Sequence, residues 1–136
     1  MKVNYPALYA IATGLFVLFD AVWLGLIAKN LYATELKGLM TSNVKWGAAV
    51  LFYLIFIAGL IYFVVAPALK AETSSSIVLA GAFFGLVTYA TYDLTNYATL
   101  KGFPLKIVII DLLWGTVLSM AVASLSYVVY TKVITN

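Results

Sequence analysis

Four long apolar runs, at residues 7–28, 46–69, 77–100 and 105–130, decide what this chain can become. A helix needs about 20 apolar residues to cross a hydrocarbon core about 30 Å thick, and each run is long enough. The runs are continuous and do not alternate apolar with polar residues, which argues against membrane strands. Inside lipid every backbone amide must be satisfied locally, so each run is expected to be a helix. Charged residues make up 10% of the chain and hydrophobic ones 65%. A soluble domain carries about 25% charged residues, so a soluble fold is excluded. The expected fold class is all-α: an integral membrane four-helix transmembrane bundle, a single membrane domain over residues 1–136.

The residues between the runs agree with this reading. Pro6 can open the first helix, where a missing N–H costs nothing. Thr41-Ser42-Asn43 and Thr73-Ser74-Ser75-Ser76 offer N-caps for the second and third helices. Lys101-Gly102-Phe103-Pro104 makes a tight break before the fourth. Pro67 is expected to kink or fray the last turns of the second. The N-terminal run has a single preceding lysine, no clear cleavage site and Asp20 within it, so it is not read as a signal peptide. The long connection at 29–45 places Tyr32, Leu36, Leu39 and Met40 at helical spacing. It reads equally as a short interfacial helix or an ordered loop. Lys29, Lys37, Lys45, Lys101 and Lys106 flank one side of the bundle, and Lys2, Lys70 and Lys132 the other. That excess favours cytoplasmic loops at 29–45 and 101–104.

The missing residue types exclude whole classes of chemistry. The chain has no cysteine, histidine or arginine. Thiol catalysis, Cys/His zinc sites, His- or Cys-held haem and Ser-His-Asp triads all fall away. Eight dispersed lysines do not make a nucleic-acid surface.

Three of the five acids, Asp20, Asp93 and Asp111, fall inside the runs. Each costs about 2.5–3.5 kcal/mol on insertion scales, so a structural or functional return is expected. At 1.5 Å per residue, Asp20 lies about 12 Å, Asp93 about 11 Å and Asp111 about 8–10 Å from the same membrane face. Tyr53 on the second helix reaches a similar depth. One polar layer thus draws a group from every helix. Positions three and four apart share a helix face. Phe16 and Trp23 therefore accompany Asp20, Tyr89, Asn96 and Tyr97 accompany Asp93, and Trp114 and Gly115 accompany Asp111. Small residues recur at four-residue spacing in Ala10/Gly14, Ala21/Gly25, Gly81/Gly85 and Gly115/Ser119/Ala123, a pattern that allows close helix packing.

The only lysine within a run is Lys106, at the very start of the fourth, so three ionised acids would leave three uncompensated charges deeper in a poor dielectric. Protonation, snorkelling lysines, a hard cation or an organic cation could each resolve this. No helix carries a paired-carboxylate motif, so neither a metal site nor a cofactor is expected. The candidate ligand-binding residues are Asp20, Trp23, Tyr53, Tyr89, Asp93, Asn96, Asp111 and Trp114. The competing reading is a polar network that only fixes helix register, with the tryptophans and tyrosines as packing. Trp46 reads as interfacial belt.

Several segments stand out: Phe19-Asp20-Ala21-Val22-Trp23-Leu24-Gly25, Gly81-Ala82-Phe83-Phe84-Gly85-Leu86, Tyr89 through Tyr97, Ala98-Thr99-Leu100-Lys101 with Pro104, and Asp111-Leu112-Leu113-Trp114-Gly115. They resemble a family of small predicted bacterial membrane proteins, the domain of unknown function 2177 family. Pro67-Ala68-Leu69 is also similar. Phe103 departs from the tryptophan expected before the proline. The resemblance implies a four-helix protein of the bacterial inner membrane and assigns no activity.

Three functions compete on these residues. A buried carboxylate ringed by Trp and Tyr suits binding or transport of a small cationic or proton-coupled ligand, for which a homodimer is expected. Two acids of different proton affinity suit a membrane enzyme acting on a lipid or isoprenoid. A polar layer that locks packing suits a structural or accessory subunit. The bilayer is the expected partner in all three, with a small ligand or lipid in the first two and no nucleic acid in any.

Overall fold

The structure is a computed structural model and describes residues 1–135. Four helices are long and apolar enough to cross a membrane: α1 (Tyr5–Ile27), α3 (Trp46–Lys70), α4 (Ile77–Thr99) and α5 (Leu105–Val133). A short helix, α2 (Lys29–Glu35), occupies the first part of the long connection. No strand is present among the described residues. Large apolar side chains such as Leu18, Leu51, Ile55, Leu79, Phe83 and Leu113 point outward, as lipid-facing residues must.

The helix ends differ in detail from expectation. Asn4 caps α1 by accepting the Ala7 N–H at 3.2 Å, and its own N–H donates to the Tyr130 hydroxyl at 2.7 Å. Thr41 and Thr73 do not cap helices. Their hydroxyls accept from the N–H groups of Asn43 and Ser75, forming local turns. Lys45 and Ser76 hold the cap positions of α3 and α4 without side-chain bonds. An unbonded cap at a water-facing end has solvent to satisfy it.

Two helices contain a widened π turn, Trp23–Ile27 in α1 and Ile61–Val65 in α3. The second explains why Pro67 does not end α3. Proline has no N–H and its ring crowds the carbonyl four residues back. The turn ahead of it is opened, with the Ala66 N–H reaching back to the Ile61 carbonyl, and the helix then continues to Lys70.

The tightest packing joins α4 to α5. A Cβ on Gly81 would meet Met120 Cα at 3.1 Å and Ala123 Cβ at 3.2 Å. One on Gly85 would collide with the Gly115 carbonyl and Ser119, and one on Gly115 with the Tyr89 ring. Small residues at these positions let two backbones meet. Gly14 and Gly25, in contrast, face open space, so the matching spacings in α1 do not mark a close contact.

The core fills the half of the bundle next to the termini. Leu8, Ala12 and Phe16 from α1 meet Leu60, Val64 and Val65 from α3 and Leu118 and Val122 from α5. A smaller cluster lies at the other end. There Phe103, Ile107 and Val108 receive Leu31, Tyr32 and Leu36, which docks α2 against the start of α5. Leu39 and Met40 lie beyond α2 and stay exposed, because the helix stops at Glu35 and the chain turns at Gly38 with φ +92°. Lys106 pairs with Glu35 at 3.5 Å across this contact.

Candidate functional site

Between these two clusters lies a cavity of 610 Å³. Its walls are Asp20, Trp23 and Leu24 of α1, Tyr32 of α2, Ala49, Phe52 and Tyr53 of α3, Thr88, Tyr89 and Tyr92 of α4, and Asp111 and Trp114 of α5. Every helix contributes. Seven of the twelve lining residues are aromatic, two are carboxylic acids and none is a lysine. The floor is apolar: Phe16, one turn deeper than Asp20, packs edge-on against Tyr53 and beside Phe56.

Each lining acid accepts from a tyrosine hydroxyl, and an indole supports each of them. Tyr53 donates to Asp20 Oδ2 at 2.6 Å, and the Trp114 indole donates to Oδ1 over a longer 3.4 Å. Asp111 accepts from the Tyr32 hydroxyl, which in turn accepts from the Trp23 indole N–H at 3.1 Å. The two indoles stack, 4.5 Å between centroids and 8° from parallel. The two bonded chains therefore cross: Trp23 of α1 supports the acid of α5, and Trp114 of α5 supports the acid of α1. Hydrogen bonds to a carboxylate are among the stronger ones, and the stack fixes both donors at once.

Asp93 behaves differently. It is fully buried behind the cavity wall, and neither of its carboxyl oxygens meets a hydrogen-bond donor. The carboxyl of Asp111 lies within side-chain hydrogen-bonding reach of it. Asn96 is half-buried on the same helix but does not line the cavity. Of the eight residues singled out in the sequence, six thus share one cavity, while Asp93 and Asn96 do not line it. No group of three acids converges closely enough to hold a metal among the described residues.

Of the six lining residues that sequence reasoning left out, Tyr32 is the one that bonds an acid. Its position on α2 puts it outside the apolar runs, yet it carries the hydroxyl that Asp111 needs. Its helical spacing with Leu36 was the visible signal, because that spacing turns both residues toward the bundle. Burial, and then the bond to Asp111, push its proton affinity well above the ordinary value of 10.0. It therefore remains a neutral donor throughout the physiological range. Phe52, Thr88 and Tyr92 complete the walls without a distinguishing motif of their own.

No curated protein and no solved structure matches this chain. Residues 5–128 match the family described as "Predicted membrane protein (DUF2177)", and the chain belongs to that family.

Proposed function

We propose that this membrane protein binds a small cationic ligand in the cavity between its four helices. The observation that carries the reading is the wall composition: two acids and seven aromatic residues around 610 Å³, with no lysine to neutralise the acids. An organic cation fits such a site because carboxylates supply charge and ring faces supply cation–π attraction without strong hydration. A hydrated inorganic ion would prefer converging oxygens, which these walls do not offer. Leu24, Phe52 and Tyr92 are exposed at the cavity's edge, within the apolar part of the helices, which supports entry from the acyl-chain region. A lipophilic cation is therefore the favoured ligand class. Transport would require a second conformation, since the packed core around Phe16 closes the terminal side, and a homodimer is the natural assembly for such a change.

The test uses tetraphenylphosphonium and the detergent-purified full chain in calorimetry. Wild type binds, Asp20→Asn weakens binding at least about tenfold, or about 1.4 kcal/mol, and neutral triphenylphosphine oxide does not compete. Equal binding by folded wild type and Asp20→Asn would overturn the reading.

The same lateral opening favours one second reading, an enzyme acting on a lipid or isoprenoid by Asp acid/base chemistry. It predicts a co-purified lipid whose mass changes on incubation. The third candidate, an accessory subunit, lacks an observation in its favour, because a network built only for packing has no need of a cavity. We further propose that the chain forms one membrane domain of the bacterial inner membrane. Loops 29–45 and 101–104 then face the cytoplasm, supported by five flanking lysines against three.

A further inference from the structure

The close pairing of α4 with α5 has one register along its length. Gly81 lies against Ala123, Gly85 against Ser119 and Tyr89 against Gly115. Each step moves four residues along one helix and four back along the other. The next step pairs Asp93 with Asp111, and their carboxyls do lie within hydrogen-bonding reach. Small residues that bring the backbones together therefore also force two acids together inside the span.

Two carboxylates in that position would repel each other with nothing to compensate. Asp93 is 0% exposed and neither oxygen meets a donor. The groups around it are Asp111 on α5, Tyr92 on its own helix and Tyr32 on α2, and no lysine is among them. Asp111 already accepts the Tyr32 hydroxyl through Oδ1. The one favourable contact left to Asp93 is a carboxyl–carboxylate hydrogen bond, which needs one proton held between the pair.

We propose that Asp93 and Asp111 share a single proton, and that this dyad is a proton-binding site beside the cation cavity. It deepens the cation-binding reading and rests on it for one step only, the exchange. Asp111 belongs to both sites: one face lines the cavity and the other meets Asp93. A cation seated against Asp111 stabilises its negative charge and weakens the hold on the proton. The dyad then releases that proton to solvent and becomes two carboxylates. One positive charge enters as one leaves, so the exchange is electrically neutral.

Infrared spectroscopy of the purified full chain at neutral pH tests the dyad without any ligand. Wild type shows a protonated-carboxyl C=O stretch that shifts in deuterium oxide. Asp93→Asn removes it, Asp111→Asn leaves the buried Asp93 protonated but shifts the band by taking away its carboxylate partner, and Asp20→Asn retains it unshifted. A wild type lacking the band, an Asp93→Asn protein that keeps it, or an Asp111→Asn protein whose band is unmoved overturns the dyad. If a variant does not fold, the wild-type band itself decides, since a carboxyl bonded to a carboxylate absorbs below the frequency of an unbonded buried carboxyl, and a band at the unbonded position overturns the sharing. The exchange is tested with tetraphenylphosphonium in weakly buffered solution. Release of about one proton per bound cation, with loss of the band, is expected. Binding without proton release overturns the exchange. If the probe does not bind, the cation reading falls together with the exchange, while the dyad stands on its ligand-free band.

Discussion

Tyr32 joins three parts of the molecule through one hydroxyl. It accepts from Trp23, donates to Asp111 and sits on a helix outside the spans. Tyr32→Phe keeps the ring in its cluster with Phe103 and Ile107 but removes both bonds. Leaving a partly buried acceptor without its donor costs about 1–3 kcal/mol. A lowered midpoint of thermal unfolding in mild detergent is expected, with helix content unchanged. The pH dependence has a definite sign. The folded protein holds the hydroxyl proton more tightly than the unfolded chain, whose value is near 10.0. This contribution is complete below that pH and is lost as the pH rises through and above it. Wild type should therefore lose stability above about pH 10 more steeply than Tyr32→Phe, with no difference in slope between pH 6 and pH 8. Equal slopes at high pH would mean that Tyr32 is not buried against Asp111. The residues legible in advance were those that break a rule of their surroundings, namely acids and large polar aromatics inside apolar runs. Tyr32 breaks no such rule in a connecting segment, and its role depends on how α2 folds back, which spacing alone does not fix.

At the scale of elements, the α4–α5 pair separates glycines that matter for packing from those that do not. Gly85→Val would drive its Cβ into the Gly115 carbonyl and Ser119, where backbone cannot give way. Overpacking of this kind costs about 1–3 kcal/mol, and here it would also pull Asp93 away from Asp111. A large drop in thermal stability is expected, with a shift of the protonated-carboxyl band. Gly14→Ala in α1 meets nothing within 4 Å. Replacing a mid-helix glycine there should stabilise by about 0.5–1 kcal/mol through the entropy of the unfolded chain. A wild-type-like Gly85→Val protein would show that α4 and α5 do not meet as described. The contrast also marks what spacing can reveal. Four-residue repeats of small residues occur in both α1 and α4, and only those in α4 face a neighbour whose own small residues are in register. The span boundaries were accessible from hydropathy, because length and apolarity set them. The π turns were not, since they answer to Pro67 in α3 and to local packing in α1, neither of which changes the apolar pattern.

Over the whole molecule, dry packing and polar cavity divide the bundle into unequal halves. The half beside the termini is filled by Leu8, Phe16, Leu60, Val65 and Leu118. The half beside α2 holds the cavity, the stacked indoles and the acid pair. Which side of the membrane each half faces then decides where ligand and proton come from. The lysine asymmetry predicts the cavity half in the cytoplasmic leaflet. The chain has no cysteine, so single cysteines report topology without background. Ser42→Cys and Ser74→Cys sit in exposed connections at opposite ends of the bundle, and neither removes a lysine from the balance. In intact cells a membrane-impermeant maleimide should label Ser74→Cys at once and Ser42→Cys only after permeabilisation. That result makes the cytoplasm the source of cation and the sink for the dyad's proton. The reverse pattern would place the cavity in the outer leaflet. Binding and proton sharing would be untouched, but ligand would then enter from outside, and any export role would be ruled out for this conformation. Labelling of both cysteines in intact cells, with no permeabilisation, would contradict a fixed orientation and point to a dual-topology dimer.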